Sequence, residues 1–468
     1  MAAMFHLLLA GRYGFHRDEL YYVEGGRHLA FGYVDHPPLT PMLARMVVAV
    51  AGERLWALRV VAAVAGALVV LGCALIARTL GGGRAAQTVA AGAAAVCPYF
   101  VSVSSIFSTT TFDLLSWTIL LYLFSRLLGT DDDRLWIPLG IAFGIALEVK
   151  WLPLLLAAGF AVAVALDERL RAHTRRPGPW IGAALALALW APNLVWQVAN
   201  GWPTLEFTQN NNANVSEESG RLGFVLEQVA LLVFLLPIAV AGVVWLWRRP
   251  RWRPLVVTAA SVFVLLFALG GKAYYFAGMY PVLFAAGAVA VEGRRLGPAV
   301  AAVVATTLAF PFTTPLLPPR VVESAGIAEI NDVLAEQFGW PELADQVAAA
   351  ARSLPPHEQR NVTVLTASYG EAANLQHYLP DRGVPRDAVV SAHNSYADWW
   401  PAGAPDGTVV SVRYRPPHLR RFFASCEQVA VAENAYEMPN EVRGTPIAVC
   451  RDPKLSWDEL RDALQRYE

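Results

Sequence analysis

Ten apolar runs fill most of the first 317 residues: 56–78, 85–107, 109–128, 135–149, 151–166, 179–198, 223–247, 254–270, 272–292 and 297–317. A helix that crosses a bilayer needs roughly 20 apolar residues. Runs of this kind predict a polytopic α-helical membrane protein. The charge content agrees. Only 16% of residues are charged, against about 25% in a soluble domain, and the mean hydropathy is +0.39. A soluble enzyme and a disordered chain are excluded. A formal net charge of −1 gives no basic footprint for nucleic acid. Fifteen Trp and 31 Pro fit aromatic belts and broken helices.

The charges are unevenly placed. Residues 1–317 hold 23 basic and 17 acidic residues, whereas residues 318–468 hold 14 and 21 and have no long apolar run. The chain therefore reads as a membrane domain, 1–317, followed by a soluble domain, 318–468. Basic residues collect in every second loop: Arg78/Arg84, Arg126/Arg134, Arg169/Arg171/Arg175/Arg176, Arg248/Arg249/Arg251/Arg253 and Arg294/Arg295. By the positive-inside bias these loops are cytoplasmic. Alternation then sets the N-terminus inside, residues 318–468 outside, and about eleven membrane helices. The run 2–11 is too short to span alone and fits a clipped first helix. It lacks the basic flank and small-residue cleavage site of a signal peptide.

Six arginines break the rule: Arg12, Arg17, Arg27, Arg45, Arg54 and Arg59 lie in or beside the first outer segment, 12–55. The same segment carries Asp18, Glu19, Glu24, Asp35, His16, His28 and His36. Leu39, Met42, Leu43, Met46, Val47 and Val50 recur at helical spacing, an amphipathic face suited to the interface. A weaker helical pattern at 18–30 is expected to break at Gly25-Gly26, and Pro37-Pro38 punctuates the gap. Two interfacial helices presenting acids and bases at the membrane surface suit transfer from a lipid-phosphate-bound group. Such a phosphate needs fixed cations, and the acceptor needs a carboxylate general base. Asp18 and Glu19 supply carboxylates. Set against this, Arg-Asp-Glu is also an ordinary helix start with an acid near its cap.

The chain avoids lysine. Of 37 basic residues three are Lys, and Lys150 and Lys272 sit at predicted outward ends of membrane helices. A compact ammonium there suits a phosphate; snorkelling at a helix end is the plainer reading, and Glu148 is a ready partner for Lys150. Asp113, in STTTFDLLSW, either caps its helix, with Thr109 to Thr111 as rivals, or lines the site. The second outer loop, 199–222, is polar and aromatic and offers Trp202, Phe207 and Arg221 as a rim.

The ordered runs FHRDELYYVEGGRHLAFGYVDHPPL, ALRVVAAVAG, SSIFSTTTFDLL, LEVKWLP and KAYYFAGMYP resemble glycosyltransferase family 39 of the GT-C superfamily, relatives of protein O-mannosyltransferases and of the lipid A aminoarabinose transferase. The resemblance covers most of 12–317. It implies sugar transfer, with inversion, from a polyprenyl-phosphate donor on the outer face of the membrane to a lipid, glycan or protein acceptor. It implies Asp18 as general base with Glu19 as partner. It implies donor-phosphate contacts from Lys150, Lys272, Arg17 and His36, and a substrate pocket drawing on Asp35, Asp113, Tyr274 and Arg221. His36 stands where relatives often carry Lys, and an unperturbed His is mostly neutral at pH 7. No segment resembles the extra ligand domains of eukaryotic O-mannosyltransferases. A divalent cation is left open by the carboxylates and by His16, His28 and His36, with no tight ligand motif such as paired His at i, i+4.

Residues 318–468 alternate helical and strand-like patterns: helix 340–353, strand 361–366, helix 370–379, strands 388–391 and 408–413, helix 417–424, strands near 428–432 and 446–450, and helix 456–466. This is a small extracytoplasmic α/β domain. Cys426 and Cys450 would share an oxidising compartment and suit a disulfide. The segment HNSYADWW, with His393, Asn394, Tyr396, Trp399 and Trp400, either packs against the rest of the chain or stacks on an acceptor glycan. Two other classes compete with the enzyme: a transporter or lipid flippase, and a non-catalytic envelope sensor. Repeated halves, which many transporters show, are not evident.

Overall fold

The computed structural model describes residues 2–218, 220–293, 296–401 and 407–468. Arg294 and Arg295, counted above with a cytoplasmic loop, lie outside the described residues. Contacts divide the chain into two compact units. The first comprises Met1–Ala10, His36–Thr40 and Trp56–Thr314; the second comprises Gly11–Asp35, Pro41–Leu55 and Pro315–Glu468. Most of the first outer segment thus groups with the C-terminal residues and not with the apolar helices.

The first unit is helical. Among the described residues, seven helices are long and apolar enough to cross a membrane: Leu55–Thr79, Thr109–Thr130, Pro177–Ala199, Gly220–Trp247, Pro250–Leu269, Ala273–Val291 and Leu296–Thr313. Other predicted runs are shorter or broken. The run 85–107 is two helices, Arg84–Val96 and Pro98–Val103. Pro98 at the start of the second has no N–H to continue the first. The run 135–149 is the helix Trp136–Leu147 after a 3-10 turn, and 151–166 begins at Pro153. Most of the predicted second outer loop is the helix Pro203–Glu218. Small residues set helix packing where apolar surface gives no drive in lipid. A Cβ on Gly140 would lie 2.0 Å from the Gly182 carbonyl oxygen, and one on Gly287 would lie 2.0 Å from that of Ile238.

The second unit holds a five-stranded sheet. β1 (Thr363–Thr366), β2 (Val389–Ser391), β3 (Val409–Val412), β4 (Phe423–Val431) and β5 (Pro446–Pro453) run in the order β2-β1-β3-β5-β4. β1 pairs in parallel with β2 and β3, and β5 pairs antiparallel with β3 and β4. Leu365, Val390, Val409, Phe423, Trp457 and Leu460 are buried in one cluster of its core. Cys426 on β4 faces Cys450 on β5, and the two form a disulfide. The expected helix 417–424 is confined to Pro416–Leu419, because β4 takes the chain from Phe423.

The weak pattern at 18–30 is a continuous helix, Arg17–Arg27. Gly25 and Gly26 do not interrupt it. A Cβ on Gly26 would lie 2.8 Å from the Pro41 carbonyl oxygen, and one on Gly25 would lie 3.2 Å from the Pro41 ring. The glycines let the start of the next helix, Leu39–Ala51, approach. That second helix leaves Met42, Met46 and Val50 exposed at 42%, 58% and 90%, one apolar stripe as its spacing predicts.

Candidate active site

Each unit carries a cluster of functional groups. In the first unit a small recess is lined by Tyr99, Thr110, Asp113, Lys150, Tyr274, Tyr275 and Gly278. Three local breaks in helix build it. Ser108 caps the helix Thr109–Thr130 and accepts from the Thr111 N–H at 3.3 Å. Asp113 is therefore not needed as a cap. It lies one turn in, 7% exposed, and accepts from Trp117 Nε1 at 3.1 Å. Lys150 sits in the break between the helices Trp136–Leu147 and Pro153–Leu166. Its Nζ lies 4.9 Å from the centre of the Tyr275 ring, a cation–π contact. Among the described residues no ion pair joins Glu148 to Lys150. Tyr274 and Tyr275 come from the 3-10 segment Ala273–Met279, and Tyr274 stacks on Tyr99 with centroids 5.7 Å apart. One carboxylate, one ammonium, three phenols and a threonine hydroxyl around this recess are groups that can bind a phosphate and hydroxyls.

Five residues expected at a donor or substrate site are not among those lining this recess: Arg17 and Asp35 belong to the second unit, and Lys272, Arg221 and His36 have other surroundings. Lys272 caps the 3-10 segment and is not among the lining residues. Arg221 is exposed, with its guanidinium 5.6 Å from the centre of the Phe267 ring. His36 is 3% exposed, and its Nδ1 lies 3.0 Å from the carbonyl oxygen of Pro37. A neighbouring carbonyl, and not the recess, takes that ring nitrogen.

The second unit positions Asp18. His16 and Glu19 form a reciprocal cap for the helix Arg17–Arg27. The Glu19 carboxylate accepts the His16 N–H at 2.8 Å, and His16 Nδ1 accepts the Asp18 N–H at 3.2 Å. Burial holds the His16 imidazole below its ordinary pKa, partly opposed by Asp18, so Nδ1 stays an acceptor. Glu19 is fully buried and closes the helix cap. Asp18, with its side chain 24% exposed, is the reachable carboxylate. Its Oδ1 accepts from Tyr369 Oη at 2.9 Å and lies 3.5 Å from Arg17 Nε. Burial, reinforced by the charge of Asp18, pushes the Tyr369 phenol well above its ordinary range, so it remains a donor.

A relay of charge extends from there. Arg17 pairs with Glu441, Arg413 bonds the Glu441 carbonyl oxygen at 2.8 Å, and Arg413 also pairs with Glu371. Glu371 caps a second helix, Tyr369–Tyr378, accepting the Ser368 N–H at 3.1 Å. Burial pushes Glu371 up to about 7 against the pull of Arg413. Glu336, which accepts the Glu441 N–H at 3.0 Å, is pushed up to about 7 by burial and by the charge of Glu441. Asp35 accepts from Tyr21 Oη at 2.7 Å, and the Tyr21 and Tyr369 rings lie 4.5 Å apart. In HNSYADWW, Trp399 stacks on His28 at 4.8 Å and Tyr396 Oη donates to Gln376 at 2.8 Å. These rings pack within the unit. Tyr369, Glu371, Arg413 and Glu441 were missed by sequence reasoning. The Ser368-x-x-Glu371 capping signature was readable for one of them; the others carry no local signal.

Among the described residues no group of three His, Cys, Asp or Glu is arranged to hold a metal. His16 is a cap and His28 bonds Glu24 at 3.2 Å.

Residues 35–196 match the family model described as dolichyl-phosphate-mannose-protein mannosyltransferase. No curated protein matches the chain by sequence. Among solved structures, ArnT from Cupriavidus metallidurans bound to undecaprenyl phosphate is similar with a TM-score of 0.60 at 16% identity, covering 96% of both chains. The apo state of the same protein gives a TM-score of 0.60 at 16% identity, covering 96% of this chain and 95% of that one. Likeness at this identity is a likeness of fold, and it extends through both the helical body and the C-terminal sheet. Over residues 35–196 the chain is therefore similar to the dolichyl-phosphate-mannose-protein mannosyltransferase family, and its fold is like that of ArnT.

Proposed function

We propose that this protein is a membrane glycosyltransferase that moves a sugar from a polyprenyl-phosphate donor to an acceptor on the outer face of the membrane, with inversion. The observation that carries the reading is the recess in which Lys150 and Asp113 meet Tyr99, Tyr274 and Tyr275, in a chain with the fold of a protein crystallised with undecaprenyl phosphate. In this reading Lys150 holds the donor phosphate as a point charge, and Asp113 and the tyrosines hold the sugar. Asp18 is the general base. The acceptor hydroxyl or amine attacks the anomeric carbon, its proton passes to Asp18, and the bond to the phosphate oxygen breaks. The polyprenyl phosphate leaves as a stable anion, so no strong general acid is required. Tyr369 donates a hydrogen bond to the Asp18 carboxylate and Arg17 lies beside it, which fixes the orientation of the base. Orientation by the positive-inside bias assigns residues 318–468 to the outer side.

The test is transfer by the purified full-length protein, in lipid, from a panel of polyprenyl-phosphate sugars, with Asp18→Asn beside the wild type. Asp18→Asn should lower transfer by about two to four orders of magnitude while undecaprenyl phosphate still binds. Unchanged transfer would remove Asp18 from the mechanism. Phosphate-lipid transport without sugar transfer would favour a flippase.

A further inference from the structure

Gln228 is a buried amide on the helix Gly220–Leu232, whose charged residues Arg221 and Glu227 are exposed. A polar side chain at such a position needs a reason beyond packing. Its Nε2 donates to the carbonyl oxygen of Ala273 at 2.8 Å, and its Oε1 accepts from Tyr280 Oη at 2.6 Å. Ala273 is the first residue of the 3-10 segment Ala273–Met279, and Tyr280 is the first residue of the helix Tyr280–Val291 that follows. One side chain therefore grips both ends of the segment.

That segment is where regular helix fails. A 3-10 stretch of seven residues is long for its type, and carbonyls at a helix break must find partners where no water is available. Gln228 supplies one such partner. Between its two anchor points hang Tyr274, Tyr275 and Gly278, which form one wall of the recess. Gly278 seats this wall against Trp117, since a Cβ there would lie 2.5 Å from the indole. The same tyrosines stack on Tyr99 and meet the ammonium of Lys150.

We infer that Gln228 is a positioning residue: it clasps the Ala273–Met279 segment and so holds the tyrosine wall in register with Lys150 and Asp113. The inference rests on the reading of the recess as the donor site. Removing the amide frees the wall by tenths of an ångström to about 1 Å, and misplacement on that scale costs up to about 10²-fold in catalysis.

The experiment uses full-length protein in nanodiscs, with Gln228→Leu, Tyr280→Phe, and Thr258→Val as a control that removes a different buried intramembrane hydroxyl. Amide exchange over residues 273–279, affinity for undecaprenyl phosphate and initial rates are measured for each. Gln228→Leu should raise exchange in that segment and weaken the probe by about tenfold or more, at a melting temperature like that of Thr258→Val. Tyr280→Phe, which removes one of the two bonds, should give a smaller change in the same direction and serves if Gln228→Leu does not fold. Unchanged exchange in both variants overturns the clasp, as does raised exchange with unchanged probe affinity in a protein whose wild type binds the probe. Raised exchange in a protein whose wild type ignores the probe keeps the clasp and removes the donor reading.

Discussion

Replacing Tyr369 with Phe tests whether Asp18 is the base without touching Asp18. The phenol donates to Asp18 Oδ1 at 2.9 Å, and Arg17 Nε lies 3.5 Å away on the same oxygen. A hydrogen bond to a charged acceptor is worth roughly 1.5–3 kcal/mol, and one pKa unit corresponds to about 1.4 kcal/mol. The Asp18 side chain is 24% exposed, so water recovers part of the loss, and Arg17 remains. The sign follows from the charge state that the bond favours. The phenol stabilises the ionised form, so its removal makes the carboxylate easier to protonate. A base is lost as its carboxylate takes a proton, so the acidic limb of the kcat/KM profile should move to higher pH. The assay is initial-rate transfer by purified protein over pH 4.5–8, with circular dichroism confirming the fold. An acidic limb that stays in place, or moves to lower pH, in a folded variant would refute the assignment of Asp18 as the titrating base.

Other outcomes are expected from the same geometry. Lys150→Met should weaken undecaprenyl phosphate by about 1.5–3 kcal/mol, the worth of a hydrogen bond to a charged group, read by titration of the lipid phosphate. Converting both Cys426 and Cys450, 24 residues apart, to Ser should destabilise the C-terminal residues by about 3 kcal/mol, read by chemical unfolding with and without reductant. Gly26→Ala should cost about 1–3 kcal/mol, because its Cβ would meet the Pro41 carbonyl oxygen at 2.8 Å; thermal unfolding reads this. Glu371, pushed by burial up to about 7 from its ordinary 4.5, favours the folded state below pH 4.5 and loses that contribution as pH rises through 7. His16 and His393, both depressed by burial, act oppositely by losing stability as pH falls below 6.5, so the comparison must be relative. Glu371→Gln should lose the part of the wild-type slope between pH 4.5 and 7 in which stability declines, and an identical slope would remove Glu371 as its source.

Much of this protein was legible in order along the chain. The apolar runs marked the helices because a membrane helix is a local object, with its backbone bonds made inside one segment. The runs at 109–128 and 179–198 became the helices Thr109–Thr130 and Pro177–Ala199. The strand patterns at 361–366, 388–391 and 408–413 became β1, β2 and β3, the parallel part of the sheet. Asp113, Lys150 and Tyr274 were chosen from three separate runs, and all three line one recess.

What failed did so where a local signal had two readings. Gly25-Gly26 reads as a break along the chain, yet in the fold it is a contact surface for Pro41. Asp18 and Glu19 are chemically alike and adjacent, so the sequence could not assign them different tasks. Tertiary burial did: one carboxylate closes a helix cap, and the other takes a phenol from a residue 351 positions away. Lys150 and Lys272 were equivalent by scarcity and by place at a helix end, and only the first reaches the recess. The sequence by itself determined that the chain is a polytopic helical protein with a small α/β appendage, because hydrophobic length and period are properties of single segments. Which of its acids and bases meet was decided by the tertiary structure alone, because an ion pair or a shared recess depends on distances between segments that no spacing along the chain encodes.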